Sequence, residues 1–316
     1  MKKFTSFQDV HSLDELVQRA LLLKRNHNLI SKIGEGKTLG LLFFNPSLRT
    51  RISSQIAAHK LGLNCIVLNA NQETWNIEFE DGTTMNGSSV EHIKEMARVL
   101  NKYFDILGVR VFPELKNKKE DIEEKKLSAF IKYFEKPIIS LESNTLHPLQ
   151  SFADILTIEE LKTKPRPKVV LTWVPHIKPI PHCVANSFSE WVKNTPYEFV
   201  ITHPKAYELD EKYTHGVPIL NNQKEAFENA DFIYAKNWSC FTDYGTIQNS
   251  NDNWKLTEAH LENTNQAKIM HCLPVRRNLE IEDKLLDSPN CIVGLQAENR
   301  IWSCLTILEK LLKNKG

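Results

Sequence analysis

The sequence lacks the charge excess typical of a nucleic-acid-binding or membrane-surface protein. Lysine and arginine total 40 against 39 aspartate and glutamate residues, which gives a formal net charge of +1. Without a basic excess, the charge balance indicates neither a nucleic acid partner nor a strongly steered macromolecular partner. Any anion that the protein binds must therefore be held by a local group of residues.

Long hydrophobic runs are also missing. No stretch approaches the roughly 18 apolar residues of a membrane-spanning helix. The residues from Met1 to Asp9 include two lysines but no apolar run of signal-peptide length. We therefore expect a cytoplasmic protein with no membrane partner.

Closely spaced cysteines are absent too. The six cysteines include no Cys-x-x-Cys pair, and they are Cys65, Cys183, Cys240, Cys272, Cys291 and Cys304. Such wide spacing predicts reduced thiols and argues against a disulfide framework or a structural zinc site. We expect neither a metal nor an organic cofactor.

Short apolar runs alternate with helix-like segments along the 316 residues, a length that suits two domains. This alternation is typical of parallel sheets covered on both faces. The runs are Leu39 to Phe44, Cys65 to Leu68, Ile106 to Phe112, Pro137 to Leu141, Val169 to Val174, Phe199 to His203, Asp231 to Ala235, Ile269 to Leu273 and Cys291 to Leu295. They predict an α/β fold of two doubly wound domains, each with a central parallel sheet of four or five strands, joined by connecting helices.

Two segments with helical periodicity set the predicted domain boundaries. One follows His147 and ends near Lys162 to Pro165, and the other covers Ala297 to Leu312. We expect residues 1–146 to form the first domain, with a helix at about 297–316 returning to it. Residues 147–296, including the connecting helix at their start, would form the second.

The segment from Ser47 to Arg51 carries the clearest chemical pattern. It follows a strand and Pro46, which stops the strand, and it opens a helix for which Ser47 is a natural N-cap. Backbone N–H groups, two hydroxyls and two arginines then meet at the positive end of a helix dipole, where phosphate binds well. By itself the pattern is equally typical of a capped helix with surface arginines.

Two further clusters follow predicted strands. In the first, His147 could donate a hydrogen bond to a carbonyl oxygen, with Gln150 one turn further along the helix. In the second, His271 to Pro274 ends a strand, and the turn at the proline frees carbonyl groups for a ligand amine. Each cluster alone is also typical of an ordinary helix entry or a buried strand end. Both are expected beyond the carboxyl ends of strands, where open α/β sheets bind ligands.

Together, and in this order, these residues resemble the aspartate and ornithine carbamoyltransferase family over nearly the whole chain. The shared motifs are Ser-x-Arg-Thr-Arg, His-Pro-x-Gln, His-Cys-Leu-Pro and the stretch Ala297 to Arg300. The His-Cys-Leu-Pro motif resembles the ornithine enzymes more than the aspartate enzymes. The resemblance implies direct transfer of a carbamoyl group from carbamoyl phosphate to an amine, through a tetrahedral intermediate.

The resemblance also implies a set of site residues. Ser47, Arg49 and Thr50 would hold the phosphate; Arg110, His147 and Arg300 would surround the carbamoyl oxygen; Gln150 and the carbonyls near Cys272 and Leu273 would hold the carbamoyl amine. The whole carbamoyl phosphate site would comprise Ser47, Leu48, Arg49, Thr50, Trp75, Arg110, His147, Gln150, Cys272, Leu273 and Arg300. The catalytic residues among them would be Thr50, Arg110, His147 and Cys272.

One departure from the ornithine enzymes indicates a different acceptor. Lys236 stands where those enzymes have an aspartate for the α-ammonium group of ornithine. A lysine would repel that group, so an acylated, uncharged α-nitrogen fits better. The chain accordingly resembles the N-acylornithine carbamoyltransferases, whose acceptor site would include Glu142, His176, Lys236 and Arg277.

Two loop residues bear on the acyl group and on assembly. At the position of Val90 the acetyl enzymes carry Glu, which would oppose a succinyl carboxylate, whereas Val adds no negative charge. We therefore favour N-succinylornithine over N-acetylornithine as the acceptor. In this subfamily Trp75 reaches the carbamoyl phosphate of a neighbouring subunit, which implies a homotrimer with shared sites; a loop aromatic packed on its own domain is the alternative.

An interpretation from another class is a non-catalytic, anion-binding regulatory protein that keeps the fold. The intact set of predicted catalytic residues argues against it.

Overall fold

The computed structural model describes residues 1–248 and 252–313, apart from the side chains of Asn71 and Asp252. The chain divides into two compact units. The first comprises Met1–Glu114, Lys119–Leu149 and the chain from Arg300, and the second comprises Leu115–Lys118 and Gln150–Asn299. Each unit contains one five-stranded sheet.

The sheet of the first unit is entirely parallel. Its strands are β1 (Lys3–Phe4), β2 (Thr38–Phe43), β3 (Asn64–Asn69), β6 (Ile106–Arg110) and β7 (Ile138–Glu142), in the order β1-β7-β6-β2-β3. A separate two-stranded sheet pairs β4 (Ile77–Glu78) with β5 (Glu91–His92). The central strands β6 and β7 are buried along their whole length, as expected for strands covered on both faces.

The helices of the first unit are α1 (Leu13–Arg25), α2 (Arg49–Lys60), α3 (Ala70–Glu73), α4 (Ile93–Tyr103), α5 (Lys118–Glu123) and α6 (Lys125–Tyr133). Several of them, including α1, α4 and α6, bury apolar residues. Ile93, Met96 and Leu100 of α4 share one face at helical spacing and join Phe130 of α6 in a buried cluster. Gly40 in β2 is needed for this packing, because a Cβ there would lie 2.4 Å from the Phe104 ring.

The second unit repeats the parallel arrangement. Its strands are β8 (Lys168–Trp173), β9 (Glu198–Thr202), β10 (Ile219–Leu220), β11 (Phe232–Lys236) and β12 (Lys268–Met270), in the order β10-β9-β8-β11-β12. The remaining helices, in chain order, are α7 (Pro148–Leu161), α8 (Cys183–Val192), α9 (Glu211–Thr214), α10 (Gln223–Phe227), α11 (Asp283–Leu286) and α12 (Val293–Lys313).

The predicted fold class is confirmed: two parallel sheets of five strands are flanked by helices. The sequence pattern did not reveal two strands of the five-stranded sheets, β1 and β10, because each has only two residues. Both lie at a sheet edge.

One predicted strand is wrong. The run from Cys291 to Leu295 makes only an isolated bridge between Cys291 and Ile269, and α12 begins at Val293. A short apolar run does not distinguish a strand from the first turn of a buried helix. The prediction therefore divided what is a single longer helix.

Among the residues that the structure describes, no helix is long and apolar enough to cross a bilayer.

Candidate functional site

The turn from β2 into α2 holds the predicted phosphate segment. β2 ends at Phe43 and α2 begins at Arg49, with Thr50 buried in its first turn. The prediction that Ser47 is the N-cap is wrong, because Leu48 occupies that position with helical angles and no side-chain cap bond. The side chain of Leu48 therefore offers no acceptor to the first turn of this 12-residue helix, at the end where an anion is stabilised.

Thr50 is the meeting point of two arginines. Its hydroxyl oxygen accepts a hydrogen bond of 2.6 Å from the guanidinium of Arg300 and one of 3.3 Å from Arg110. All three side chains are buried. Two cations from distant parts of the chain thus converge on the first turn of α2, which concentrates positive charge there.

Glu142, at the end of β7, organises the donors beside that turn. Its carboxylate forms a buried ion pair with Arg110 and lies 3.4 Å from Nε2 of His147. A buried charge is tolerated when it is paired in this way. Glu142 was predicted to bind the acceptor, and its contacts here are with two predicted carbamoyl-oxygen donors.

Some buried polar atoms of this cluster have no hydrogen-bond partner within the described part of the chain. Nε of Arg110 and Nδ1 of His147 are both buried and make no hydrogen bond. Buried polar atoms are nearly always satisfied, and exceptions often mark functional sites. Nε of Arg110 can donate to a ligand oxygen, and Nδ1 of His147 can do so in the tautomer that carries its proton on Nδ1.

His147 is held in its neutral form. Burial lowers its pKa well below the ordinary value of 6.5, and the positive charges of Arg300 and Arg110 lower it further. A neutral imidazole carries one N–H and one acceptor nitrogen. At neutral pH His147 can therefore donate a hydrogen bond without adding a charge.

In the second unit, Gln150 lies at the start of a buried polar chain. Its amide donates to Asp154 at 2.8 Å, and the amide of Gln296 donates to the same carboxylate oxygen at 2.7 Å. The Gln296 carbonyl oxygen accepts the backbone N–H of His271 at 2.9 Å. Side-chain bonds thus join the start of α7 to the end of β12.

The segment after β12 is fixed by its own histidine. Nδ1 of His271 accepts the backbone N–H of Leu273 at 2.9 Å, and Nε2 lies 3.0 Å from the buried carboxylate of Glu280. The Leu273–Pro274 peptide bond is cis. The two contacts of the His271 ring give Cys272 and Leu273 a defined backbone conformation.

A second group of basic residues lies beyond β8, β11 and β12. Lys236 ends β11 and is buried, donating to the side chain of Asn237 at 2.7 Å. His176 accepts a hydrogen bond of 3.3 Å from Nε of Arg276. Burial is the main cause that lowers the pKa of His176, and the charges of Lys236 and Arg276 also lower it. His176 thus lies in the electrostatic field of both cations.

The neighbouring Arg277, which the sequence analysis selected, is bound elsewhere. Its guanidinium pairs with Asp283 at 3.0 Å and with Asp287 at 2.6 Å on the surface. The structure therefore brings Arg276, rather than Arg277, to His176. The sequence shows two adjacent arginines shortly after a proline, and this pattern does not indicate which of them contacts His176.

Two predicted site residues of the first unit are on the surface. Trp75 is 66% exposed and Val90 is 62% exposed. The loop between β4 and β5, which ends at Val90, is anchored at Asp81, whose carboxylate binds Lys94 at 2.8 Å and Lys132 at 2.9 Å. Trp75 is therefore largely exposed on its own unit, and its contact with a neighbouring subunit stays a prediction.

The described residues contain no group of three or more histidine, cysteine or acidic side chains arranged to hold a metal ion. The six cysteines, all within the described ranges, form no disulfide bond.

Family comparisons match both units. The model "Aspartate/ornithine carbamoyltransferase, carbamoyl-P binding domain" matches residues 2–160, and the model "Aspartate/ornithine carbamoyltransferase, Asp/Orn binding domain" matches residues 182–311.

Individual relatives are similar over full length. The N-succinylornithine carbamoyltransferase of Bacteroides fragilis is 46% identical over 316 residues, covering 99% of both chains. The N-acetylornithine carbamoyltransferase of Xanthomonas campestris is 37% identical, covering 99% of this chain and 98% of the relative. Among solved structures, a glutamate-to-valine variant of N-acetyl-L-ornithine transcarbamylase, in complex with carbamyl phosphate and N-succinyl-L-norvaline, has a TM-score of 0.93 and 36% identity, covering 98% of this chain and 100% of that one.

Proposed function

We propose that this chain, which belongs to the aspartate/ornithine carbamoyltransferase family, transfers the carbamoyl group of carbamoyl phosphate to the Nδ amine of N-succinyl-L-ornithine. The products would be N-succinyl-L-citrulline and phosphate, and the reaction would serve arginine biosynthesis. The observation that carries the proposal is the 46% identity over full length to a relative named N-succinylornithine carbamoyltransferase.

The phosphate of carbamoyl phosphate would bind at Ser47, Leu48, Arg49 and Thr50. The uncapped start of α2 supports this assignment, because backbone N–H groups and a positive dipole end favour a phosphate. The half-buried Arg49 adds a formal positive charge at the same turn.

The carbamoyl oxygen would be bound by Thr50, Arg110, His147 and Arg300. The unsatisfied nitrogens of Arg110 and His147 and the convergence of both arginines on Thr50 support this role. Donors arranged in advance stabilise the oxyanion as it develops in the tetrahedral intermediate. Gln150 and the carbonyls of Cys272 and Leu273 would bind the carbamoyl amine.

The acceptor would be bound by Glu142, His176, Lys236 and an arginine. Contact with His176 favours Arg276 over Arg277 as that arginine, because Arg277 is already paired with two aspartates. Three basic side chains suit an acceptor with two carboxylates, one on the α-carbon and one on the succinyl group.

The chemical step needs no covalent enzyme intermediate. The neutral Nδ amine attacks the carbamoyl carbon, a C–N bond forms, the bond from that carbon to the phosphate oxygen breaks, and the phosphate leaves with the proton that the attacking nitrogen gives up. The free amine has a pKa of about 10, like lysine, and must lose its proton before it attacks. Cys272 is the residue of this segment that we predict to take part in catalysis, and its carbonyl would also bind the carbamoyl amine.

Assembly as a homotrimer, with Trp75 reaching the carbamoyl phosphate of a neighbouring subunit, is part of the proposal. Support comes from large apolar side chains that the first unit leaves on its surface: Leu48, Ile52, Ile66, Trp75, Val90 and Val99. Ile66 lies on β3, which is an edge strand of its sheet. Exposed apolar surface of this kind commonly marks an interface with another protein chain.

N-Acetylornithine is the second candidate acceptor, supported by 37% identity to an acetyl enzyme. Val90 favours the succinyl substrate, since it places no carboxylate against the succinyl group. The glutamate-to-valine variant of the acetyl enzyme that binds N-succinyl-L-norvaline is consistent with this preference.

The test compares ornithine, N-acetylornithine and N-succinylornithine as acceptors at equal concentration, with the ureido product measured. We expect the highest kcat/KM with N-succinylornithine, and Val90→Glu should lower that value at least tenfold while raising or sparing activity with the acetyl substrate. Ile122→Glu, at an exposed apolar residue of the same unit that is not part of the proposed interface, is the control for added charge.

Preference of the wild-type protein for free ornithine would contradict the interpretation of Lys236. Preference for the acetyl substrate would contradict the interpretation of Val90. Absence of transfer to all three acceptors, with carbamoyl phosphate still bound, would favour a non-catalytic anion-binding protein.

A further inference from the structure

Asp154 is a buried carboxylate that the reaction as described does not use. It lies one turn after Gln150 on α7, and its Oδ1 accepts hydrogen bonds from Gln150 at 2.8 Å and from Gln296 at 2.7 Å. Asp154 is 0% exposed, and Gln150 and Gln296 are each 1% exposed. Burying a charge is costly, so its retention at this place calls for a role.

The chemistry of the three side chains fixes their orientation. An ionised carboxylate can only accept hydrogen bonds, whereas a glutamine amide carries an NH₂ donor at one end and a carbonyl acceptor at the other. Asp154 therefore turns both NH₂ groups towards itself and both carbonyl oxygens away. For Gln150, the group directed away from Asp154 is thus a hydrogen-bond acceptor.

That polarity matches the proposed ligand. The amine of a carbamoyl group is a planar NH₂ that donates and does not accept. A Gln150 amide in the opposite orientation would present a second NH₂ to it, and the two donors would repel. The charged acceptor at Asp154 thus selects the orientation that binds a carbamoyl amine.

The same carboxylate bears on the other predicted amine contacts. Gln296, held by Asp154, accepts the backbone N–H of His271, and His271 in turn accepts the N–H of Leu273. The carbonyls of Cys272 and Leu273 belong to this segment. One charge therefore orients both the side chain and the backbone groups assigned to the carbamoyl amine.

Tyr234 completes the surroundings of Asp154. Burial raises its pKa well above 10, and the nearby Asp154 and Cys272 raise it further. The phenol therefore stays neutral beside the carboxylate. A neutral neighbour adds no competing negative charge to the group that orients Gln150.

We infer that Asp154 is the positioning residue for the carbamoyl amine, acting through Gln150 and Gln296 and determining that the site accepts a carbamoyl rather than a plain phosphate ligand. This inference rests on the proposed function.

The experiment measures the binding of two probes to the intact protein by calorimetry. Phosphonoacetamide keeps the phosphonyl group and the amide NH₂ of carbamoyl phosphate but cannot transfer its acyl group, and inorganic phosphate lacks the amide. In Asp154→Asn the new side chain can donate to Gln150 and so allows its amide to turn around. We expect phosphonoacetamide to bind about tenfold more weakly, the effect of one lost hydrogen bond, and phosphate to bind within twofold of wild type.

A second variant restores the polarity with the groups exchanged. In Asp154→Asn combined with Gln150→Glu, the asparagine NH₂ can donate to the new carboxylate in place of the hydrogen bond that Gln150 donated to Asp154. The carboxylate introduced by Gln150→Glu then presents an acceptor to the amide of the probe. We expect the double variant to recover most of the lost phosphonoacetamide affinity. Glu159→Gln, a carboxylate-to-amide change on the same helix, should alter neither affinity.

The outcomes separate positioning from a merely structural role. Equal weakening of both probes in Asp154→Asn, or weakening of neither, would overturn the inference, as would a double variant that binds phosphonoacetamide no better than the single one. If Asp154→Asn does not fold, the double variant decides alone: near wild-type ratios of the two affinities support the inference, and selective loss of phosphonoacetamide overturns it. Failure of the wild-type protein to bind phosphonoacetamide would instead remove the proposed function, and the inference with it.

Discussion

Arg276 and Arg277 are adjacent in the chain but have different surroundings. Arg276 donates to His176, whereas Arg277 forms hydrogen bonds with Asp283 and Asp287 at the surface. Exposed ion pairs contribute little to stability, but they do hold a guanidinium in place. The two arginines therefore differ in their hydrogen-bond partners: Arg276 contacts a predicted acceptor-site residue, and Arg277 contacts surface aspartates.

Replacing each arginine in turn tests this difference. We expect Arg276→Gln to raise the KM for N-succinylornithine at least tenfold, because a charge-assisted hydrogen bond to a carboxylate is lost. The KM for carbamoyl phosphate should stay within twofold. Initial rates over both substrate concentrations provide these values.

Arg277→Gln is the matched variant, and we expect it to change the KM for N-succinylornithine less than threefold. The reverse order of the two effects would show that Arg277 leaves its aspartate partners to bind the acceptor. The sequence-based choice of Arg277 would then be correct.

At this scale the sequence predicts residue types better than their contacts. The Ser47 to Arg51 pattern and His147 could be recognised as chemistry because hydroxyls, arginines and a histidine follow strand ends. Asp154 could not, although it lies four residues after Gln150, because a carboxylate within an apolar helix also fits an ordinary packing role. Its significance depends on Gln296, which is 142 residues away.

His182, the residue immediately before α8, is a buried titratable side chain. The ring of His182 forms a hydrogen bond of 2.7 Å with the backbone carbonyl of Ser239, just beyond β11. Burial is the main cause that lowers the pKa of His182 to about 4. The connection between the start of α8 and the segment after β11 therefore depends on a neutral histidine.

Acid should weaken this connection over a defined range. Below pH 6.5 the unfolded chain binds a proton at His182 that the folded chain does not bind until about pH 4, so stability falls as the pH falls through that interval. At pH 5 this single residue accounts for about 2 kcal/mol. Urea unfolding at pH 7.5 and pH 5 should show that His182→Gln, which keeps a donor for Ser239, loses about 2 kcal/mol less than wild type.

His215→Gln serves as the comparison, since His215 is exposed. Its loss of stability between the two pH values should equal that of wild type. If His182→Gln shows the same loss as wild type, the buried ring is not the group that responds to acid.

Secondary-structure elements with a continuous apolar run were predictable. The strands β2, β6, β8 and β11 coincide with such runs, since both faces of a central parallel strand are buried. The pattern failed at Cys291 to Leu295, where an equally apolar run begins α12. It also failed at Ser47, because a serine after a proline resembles an N-cap, yet α2 begins at Arg49.

For the whole molecule, the proposed trimer makes a prediction about mixed assemblies. Arg49→Ala and Trp75→Ala should each abolish most activity. If each site combines Arg49 of one subunit with Trp75 of its neighbour, every mixed trimer contains one intact site. Random mixing in equal amounts, after dissociation and reassembly, should restore about a quarter of wild-type activity.

The control is a mixture of Arg49→Ala with Arg110→Ala, two changes within the same proposed site half. In the proposal both residues belong to the same subunit's part of the site. This mixture should therefore recover no activity. Mass measurement of the untreated protein should give three times the mass of the 36.5 kDa chain. A monomer, or equal recovery in both mixtures, would contradict shared sites.

The hydrogen bond between Thr50 and Arg300 joins residues 250 positions apart. A ribosome adds 5 to 20 residues each second, so Arg300 emerges roughly 10 to 50 s after Thr50. Throughout that time the nascent first unit contains Thr50 at the start of α2, but it lacks Arg300, one of the two arginines that donate to Thr50. If carbamoyl phosphate binds at Thr50 and Arg300 as proposed, the nascent chain cannot complete that site until translation has passed both units.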